Sequence, residues 1–534
     1  MRGNGRESVK STSRISTKRV AGGIFWLSVA GILVKVIGLV FKIPLTNMIG
    51  DSGMGYFNSA YTVYTFFYTL SSAGLPVALS ICVSSAIARS ERKTAGRIFK
   101  VALLMFFVTG LVLALGMYFG AGVLSSAVSN NDARFAVRAM APSLLLVCVS
   151  GAYRGYFQGM GSMTQTSLSQ VIESAGKLVF GLVLASYAVK EGKGPEICAC
   201  YAVMGITLSE CVSTLYLMLA RLFQGGSKPR TDNDRSQKVS NLSIAQKIAR
   251  IALPISMGSA VMSLSGVLDL AVVMRSLQSI GYCAETANAL FGAYTSLAVP
   301  MFNMPVVLIA PIVSCLVPFI ANAISAGDRE GAVEGAKNCL KYATFIALPA
   351  SLGLSALSRG ILELFFAKEL ALSVAPYLEI LALAVIFVAY TNVCIAIMQS
   401  SGHTLLPIIV MCVGSAVKVI TAVLCIRRFG MAGTPVSSLA CYFVMSILCF
   451  AIIERKLNIR INFFKMICPC LVSSLLCAFC ARVSYNLLFV TLGKGACLVS
   501  LVIAVAVYLL SVILFKYIKK EDLAGLPVIG RLVK

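Results

Sequence analysis

The sequence predicts an all-α polytopic membrane protein of 14 transmembrane helices, arranged as two parallel six-helix lobes followed by two further C-terminal helices. Three observations carry that prediction. Of 534 residues, 58% are hydrophobic and only 13% charged, against roughly a quarter charged in soluble domains. Apolar runs of about 20 residues, the length that crosses a bilayer as a helix, recur from Val20 to Tyr517 with short polar breaks. The 46 Lys and Arg residues give a formal net charge of +25 and gather at the ends of these runs. There they orient helices; a nucleic-acid binder would spread them over a polar face.

Met1 to Arg19 is polar and basic, and the apolar run after it is longer than a signal-peptide core. A retained cytoplasmic tail over 1–19 is therefore expected. Spans are expected at 20–49, 55–88, 98–119, 136–157, 166–189 and 197–220, which make an N-lobe over 20–223. Residues 224–243, rich in Gly, Ser, Asn, Asp and Lys, read as a cytoplasmic linker. The C-lobe, 244–457, holds spans at 245–274, 288–324, 338–357, 374–399, 404–426 and 433–453. Two more, 464–490 and 495–516, occupy 458–518, and 519–534 form a second cytoplasmic tail. With both termini inside, most Lys and Arg fall on the cytoplasmic side. The densest stretches are the N-tail, Arg89 to Lys100, Arg221 to Arg250 and Arg455 to Lys465, as the positive-inside rule requires.

The two sides of the linker resemble each other. Ala60-Tyr61-Thr62 matches Ala293-Tyr294-Thr295, and Ala141-Pro142 matches Ala375-Pro376. Gln158 to Gly161 answers Gln399 to Gly402, and Ser174-Ala175-Gly176-Lys177 answers Ser415-Ala416-Val417-Lys418. Four matches in one order, at offsets that stay between 233 and 241 residues, point to duplication. Both copies start on the same side of the membrane, so the repeat is parallel, a plan that places a substrate site between halves near the midplane and favours alternating access.

Several chemistries are excluded by counting. The single histidine, His403, lies in a turn, so no His cluster, Ser-His-Asp set or HExxH is possible. Most of the 18 Cys sit singly in apolar runs, where they pack as small hydrophobes. Cys468 and Cys470 flank a proline without the spacing of a zinc site. Neither a Walker A lysine nor a Rossmann fingerprint occurs. The expectation is a protein that is not an enzyme, with no metal or cofactor, driven by membrane potential or by a coupling Na+ or H+.

Charges inside the predicted spans are the best functional pointers, because each costs about 2.5–3.5 kcal/mol to insert. Lys35 and Lys42 are two turns apart on one face of span one, and the repeat places Arg275 opposite Lys42. Glu173 and Lys177 stand at i,i+4, the favourable order for a local ion pair. In the second lobe Lys418 matches Lys177, but Gly414 replaces Glu173, which makes Lys418 the more available cation. The candidate anion-binding set is Lys35, Lys42, Lys177, Arg275 and Lys418. Glu173, Glu210 and Asp269 are candidates for ion coupling. Span eight carries Pro300, Pro305, Pro311 and Pro318 with Asn303 among them, which predicts a bent, gating helix.

Tyr153 to Gly159 (YRGYFQG), the following Ser169 to Glu173 (SQVIE) and the opening Gly38 to Gly55 (GLVFKIPLTNMIGDSGMG) resemble the stage V sporulation protein B group of polysaccharide-biosynthesis membrane proteins. That group is similar to MurJ-type lipid II flippases and MATE antiporters of the MOP superfamily. The resemblance implies a flippase of the bacterial cytoplasmic membrane that moves an undecaprenyl-pyrophosphate-linked saccharide, expected to be a peptidoglycan precursor, outward. It further implies membrane lipids and cell-wall synthesis enzymes as partners, no nucleic acid, and a monomer. MurJ-type flippases place essential basic residues on helices one, two and eight; Lys35 and Lys42 match the first, while spans two and eight lack Lys and Arg in their interiors. The rivals are another polysaccharide-lipid exporter, a cation-coupled drug antiporter, whose cationic cargo lysines would repel, and a membrane glycosyltransferase, which would need clustered carboxylates in a loop.

Overall fold

In hydrocarbon no water is present to satisfy backbone N–H and C=O groups, so an apolar run must close its hydrogen bonds internally, as a helix. The computed structural model describes residues 4–89, 91–224, 240–307, 309, 320, 328–401, 403, 405–457 and 463–514, and nearly all of these are helical. Helix α1 runs Asn4–Ser72 and so extends through most of the segment read as a polar tail. It is broken at Gly50, whose φ of 71° and ψ of −178° belong to a region that glycine alone enters readily. That break separates spans one and two.

Span two is itself interrupted, which the hydropathy did not indicate. It stops at Ser72 and resumes as α2 (Leu75–Ala88), with Pro76 in its first turn, where a missing N–H does no harm. A Cβ on Gly74 would lie 2.2 Å from the Ala252 carbonyl oxygen, so this gap admits the backbone of a crossing helix. The Gly74 N–H donates to Ser256 Oγ at 3.2 Å. There follow α3 (Arg92–Ala127), α4 (Arg134–Gly159), α5 (Met163–Lys190), α6 (Pro195–Gln224) and α7 (Asn241–Ser279).

Helix α8 (Ala284–Val307) contains a π-helical turn, Tyr294–Ala298, in which the Val299 N–H reaches back to the Tyr294 carbonyl. The cause lies just after it. Pro300 has no N–H for the Ser296 carbonyl, and its ring would press on that oxygen; the wider turn relieves both problems. The second half continues as α9 (Arg329–Ala356), α10 (Ser358–Phe365), α11 (Lys368–Ala382), α12 (Val385–Ser400), α13 (Leu406–Phe429), α14 (Gly433–Leu457), α15 (Phe463–Leu492) and α16 (Ala496–Leu514). Span ten, expected unbroken over 374–399, is α11 and α12 joined at a 43° bend.

Among the described residues, nine helical segments are long and apolar enough to cross a membrane, or up to ten if the bent pair counts as one span. Three of the nine, of 55, 50 and 45 residues, are each about twice the length one crossing needs. Helix ends follow the repeat: α4 ends at Gly159 and α12 at Ser400, 241 positions on.

By packing, the chain forms two units, Met1–Arg275 with Cys283–Gly292, and Ser276–Tyr282 with Ala293–Lys534. The first centres on Leu79, Phe99, Phe106, Phe157, Leu217 and Ile248, all buried, where α2, α3, α4, α6 and α7 meet. Helix α7, assigned by the repeat to the second lobe, therefore packs largely within the first unit. In the second unit the two extra helices dock on α9. Tyr508 of α16 donates to the Phe345 carbonyl at 2.7 Å, and Cys470 of α15 lies 3.2 Å from the Tyr508 hydroxyl.

Candidate functional site

The first half of the site is an aromatic ladder on α1. Phe57, Tyr61, Tyr64 and Tyr68 recur at helical spacing, so consecutive rings touch, with centroids 5.8–6.1 Å apart; Phe41, before the Gly50 break, joins at 6.0 Å from Phe57. Lys177 of α5 sets its ammonium over two of these rings, 4.7 Å from Tyr61 and 5.3 Å from Phe41. The negative ring faces stabilise a cation here without a carboxylate. Lys42, next to Phe41, donates to Asn58 Oδ1 at 3.4 Å and lies within electrostatic reach of Lys177. Tyr61 is 37% exposed, so the cluster is open on one side.

The second half is a charge cluster in which Glu210 is buried and Arg154 and Glu173 are half-buried. Glu173 pairs with Arg154 of α4 at 2.8 Å, in place of the expected i,i+4 partner Lys177. The correction has a physical cause. A guanidinium offers several donors in a fixed fork, and Arg154 spends one on Glu173, another (Nε) on Ser169 Oγ at 3.0 Å and contacts Ser213 Oγ at 3.2 Å. An ammonium on the same helix as Glu173 cannot match that set. Glu210 of α6, 1% exposed, accepts from Ser150 Oγ at 2.6 Å and interacts with both Glu173 and Arg154. One guanidinium thus serves two carboxylates.

Arg154 is the residue that sequence reasoning missed. It lies inside span four, 136–157, where its charge was itself the signal, but it was read only as a letter of YRGYFQG. The motif now has a physical meaning throughout. Arg154 joins it to SQVIE through Ser169 and Glu173. Gly155 and Gly159 let α2 approach, since a Cβ at either would lie 2.7 or 2.8 Å from the Pro76 or Ser80 carbonyl oxygen. The Arg221 guanidinium lies 3.3 Å from the Phe99 ring centroid and 4.5 Å from that of Tyr156, and Tyr153 and Tyr156 both meet Phe99 edge-on.

The other predicted residues take these places. Lys35 is exposed on α1. Arg275 is exposed and holds the end of α3, donating to the Ala127 carbonyl at 2.9 Å and Ser129 Oγ at 3.3 Å, a helix C-terminal position that suits a cation. Asp269 is half-buried and engaged with neighbours. Lys418 is half-buried and also engaged with neighbours. Pro300 and Pro305 lie in α8 with Asn303 exposed between them, while Pro311 lies outside the described residues.

An apolar helical bundle that retains opposed charges and neighbouring lysines within its spans defines a multi-pass membrane protein. A solved structure titled "Lipid II flippase MurJ, inward closed conformation" superposes with a TM-score of 0.69 at 16% identity, covering 92% of this chain and 98% of that one. The chain belongs to the polysaccharide biosynthesis protein family, whose model matches residues 20–324; a second model, MatE, matches 254–424. It is 24% identical to stage V sporulation protein B of Bacillus subtilis over 96% of this chain and 98% of that protein. It is 22% identical to lipid II flippase MurJ of the same organism, over 82% and 83%.

Proposed function

We propose that this protein is a flippase for a lipid-linked saccharide, with an undecaprenyl-pyrophosphate-linked peptidoglycan precursor as its cargo, acting in cell-wall or spore-cortex synthesis. The observation that carries this is the seating of Lys177. Its ammonium rests on the rings of Tyr61 and Phe41, beside Lys42, while the carboxylate one turn away is bound to Arg154. Two neighbouring ammonium groups suit a pyrophosphate, and the cation–π seat that an organic cation would need is already filled by Lys177, which disfavours a drug antiporter. The names of the relatives support the same cargo.

In this scheme the headgroup enters the polar interior, the lipid tail stays in the bilayer, and the lobes alternate access with both termini in the cytoplasm. No covalent step is required. Two carboxylates against one guanidinium leave one formal negative charge, and we assign Glu210, the more buried acid, to a coupling H+ or Na+. The π turn and prolines of α8 supply the flexing element. The test is transport in proteoliposomes of a fluorescent lipid-linked disaccharide-peptide against other polyprenyl glycans. Lys42→Ala and Lys177→Ala should each slow the preferred cargo by roughly tenfold or more, the worth of a charge-assisted contact. Unchanged rates in both variants sink the assignment.

A further inference from the structure

Glu173 and Lys177 share one face of α5 at i,i+4 with the acid on the N-terminal side, the geometry in which a helix forms an ion pair unaided. Yet Glu173 turns to Arg154 at 2.8 Å and Lys177 turns to two aromatic rings. Something must outbid the local pair, and Arg154 of α4, only 12% exposed, has Ser169, Ser213 and Glu173 as its acceptors. The charged and titratable groups around it are Glu173, Glu210 and Tyr68 on one side, with Lys177 and Lys42 beyond.

We infer that Arg154 is a positioning residue: by holding Glu173 it keeps the Lys177 ammonium unpaired and presented for a phosphate-bearing ligand. The role of Lys177 as ligand contact rests on the flippase reading; the effect of Arg154 on Lys177 does not. Without the guanidinium, Glu173 falls back on its own helix and neutralises Lys177, closing the site from within. Arg154 therefore acts on binding without touching the ligand.

The readout is acetylation of Lys177 by a small amine reagent, followed by mass spectrometry of detergent-solubilised full-length protein. Two variants of equal net charge make the comparison. In R154Q/E210Q the remaining acid is Glu173, and labelling should fall roughly fivefold below wild type, as for an ion pair shielded from bulk water. In R154Q/E173Q the remaining acid is Glu210 on another helix, and labelling should stay near the wild-type level. Equal labelling of the two overturns the inference. A single variant, E173Q, retains the Arg154–Glu210 balance and checks the native state directly: unchanged labelling supports the inference, and a severalfold rise, meaning that Glu173 held Lys177 all along, overturns it. Protection of wild-type Lys177 by lipid II tests the flippase reading separately; failure of protection sinks that reading and leaves the role of Arg154 standing.

Discussion

Helices α5 and α13 hold matching places in the repeat read from the sequence, and they solve the same position in opposite ways. Each keeps its lysine, Lys177 and Lys418. In α5 the preceding turn carries Glu173, matched by Arg154 and Glu210 from α4 and α6. The 241-residue offset maps these three charges onto Ile395, Gly414 and Ala451, so the whole cluster is absent from the second copy. There the space is filled by packing: a Cβ on Gly414 would lie 2.3 Å from Met445 Cγ. A charge cluster is kept or lost as a unit, because one buried charge without its partners is far costlier than none.

The largest expected effect comes from breaking this difference in one step. Gly414→Glu collides with Met445 and brings a carboxylate into a packed site with only Lys418, one turn on, and no counterpart of Arg154, so it should destabilise by about 3 kcal/mol. Thermal unfolding followed by fluorescence-detected gel filtration checks it; a variant as stable as wild type means that Lys418 pairs with the new carboxylate and Met445 gives way at little cost. The reverse change should be far milder. R154I/E173A/E210A removes the first cluster entirely, and replacing a buried ionic triad by apolar groups is often neutral or stabilising. Stability should stay within about 2 kcal/mol of wild type, while any dependence of transport on an imposed ion gradient disappears. Retained dependence would move coupling away from Glu210.

A smaller effect separates the helix pairs themselves. In the first lobe α5 and α6 meet backbone to backbone, since a Cβ on Gly205 would lie 2.4 Å from the Gly181 backbone. The offset places Ala422 and Ser446 at these positions in α13 and α14. Gly205→Ala should cost about 1–3 kcal/mol by overpacking, and Ser446→Ala under about 1 kcal/mol. Equal losses in the two would show that the first pair can spread as easily as the second.

Much of this was legible in the sequence, and the boundary has a physical logic. The helical membrane class follows from hydropathy, which is local, and Lys42, Glu173, Lys177 and Glu210 stand out because a charge inside an apolar run is expensive whatever surrounds it. Their pairing was misread because local spacing proposes only partners on the same helix, whereas Arg154 arrives from another helix and Ser150 meets Glu210 across 60 residues. The breaks before α2 and between α11 and α12 were invisible for the same reason: Gly74 is shaped by α7, not by its sequence neighbours. The prolines of α8 predicted a distortion, but their form, a π turn ahead of Pro300, needed the backbone itself.

The smallest effect concerns the turn between the first two spans of each copy. In the first, the turn is the single residue Gly50, at the kink between two helical segments; in the second, at the offset of 233, it is a loop ending at Cys283, which is exposed. The Thr286 hydroxyl, 3.0 Å from Cys283 Sγ, and backbone N–H groups stabilise the thiolate and hold this thiol below its ordinary range. At neutral pH it should therefore react faster than an ordinary exposed cysteine. Its rate falls as pH drops through the lowered pKa, and the advantage vanishes at high pH, where every thiol is ionised. Thr286→Val should slow labelling at pH 7 by roughly twofold and leave the rate at pH 10 unchanged. Because seven spans precede this loop when the N-terminus is cytoplasmic, a membrane-impermeant maleimide should reach Cys283 from outside intact cells. Labelling only in inverted vesicles would reverse the topology and, with it, the direction in which the cargo is proposed to move.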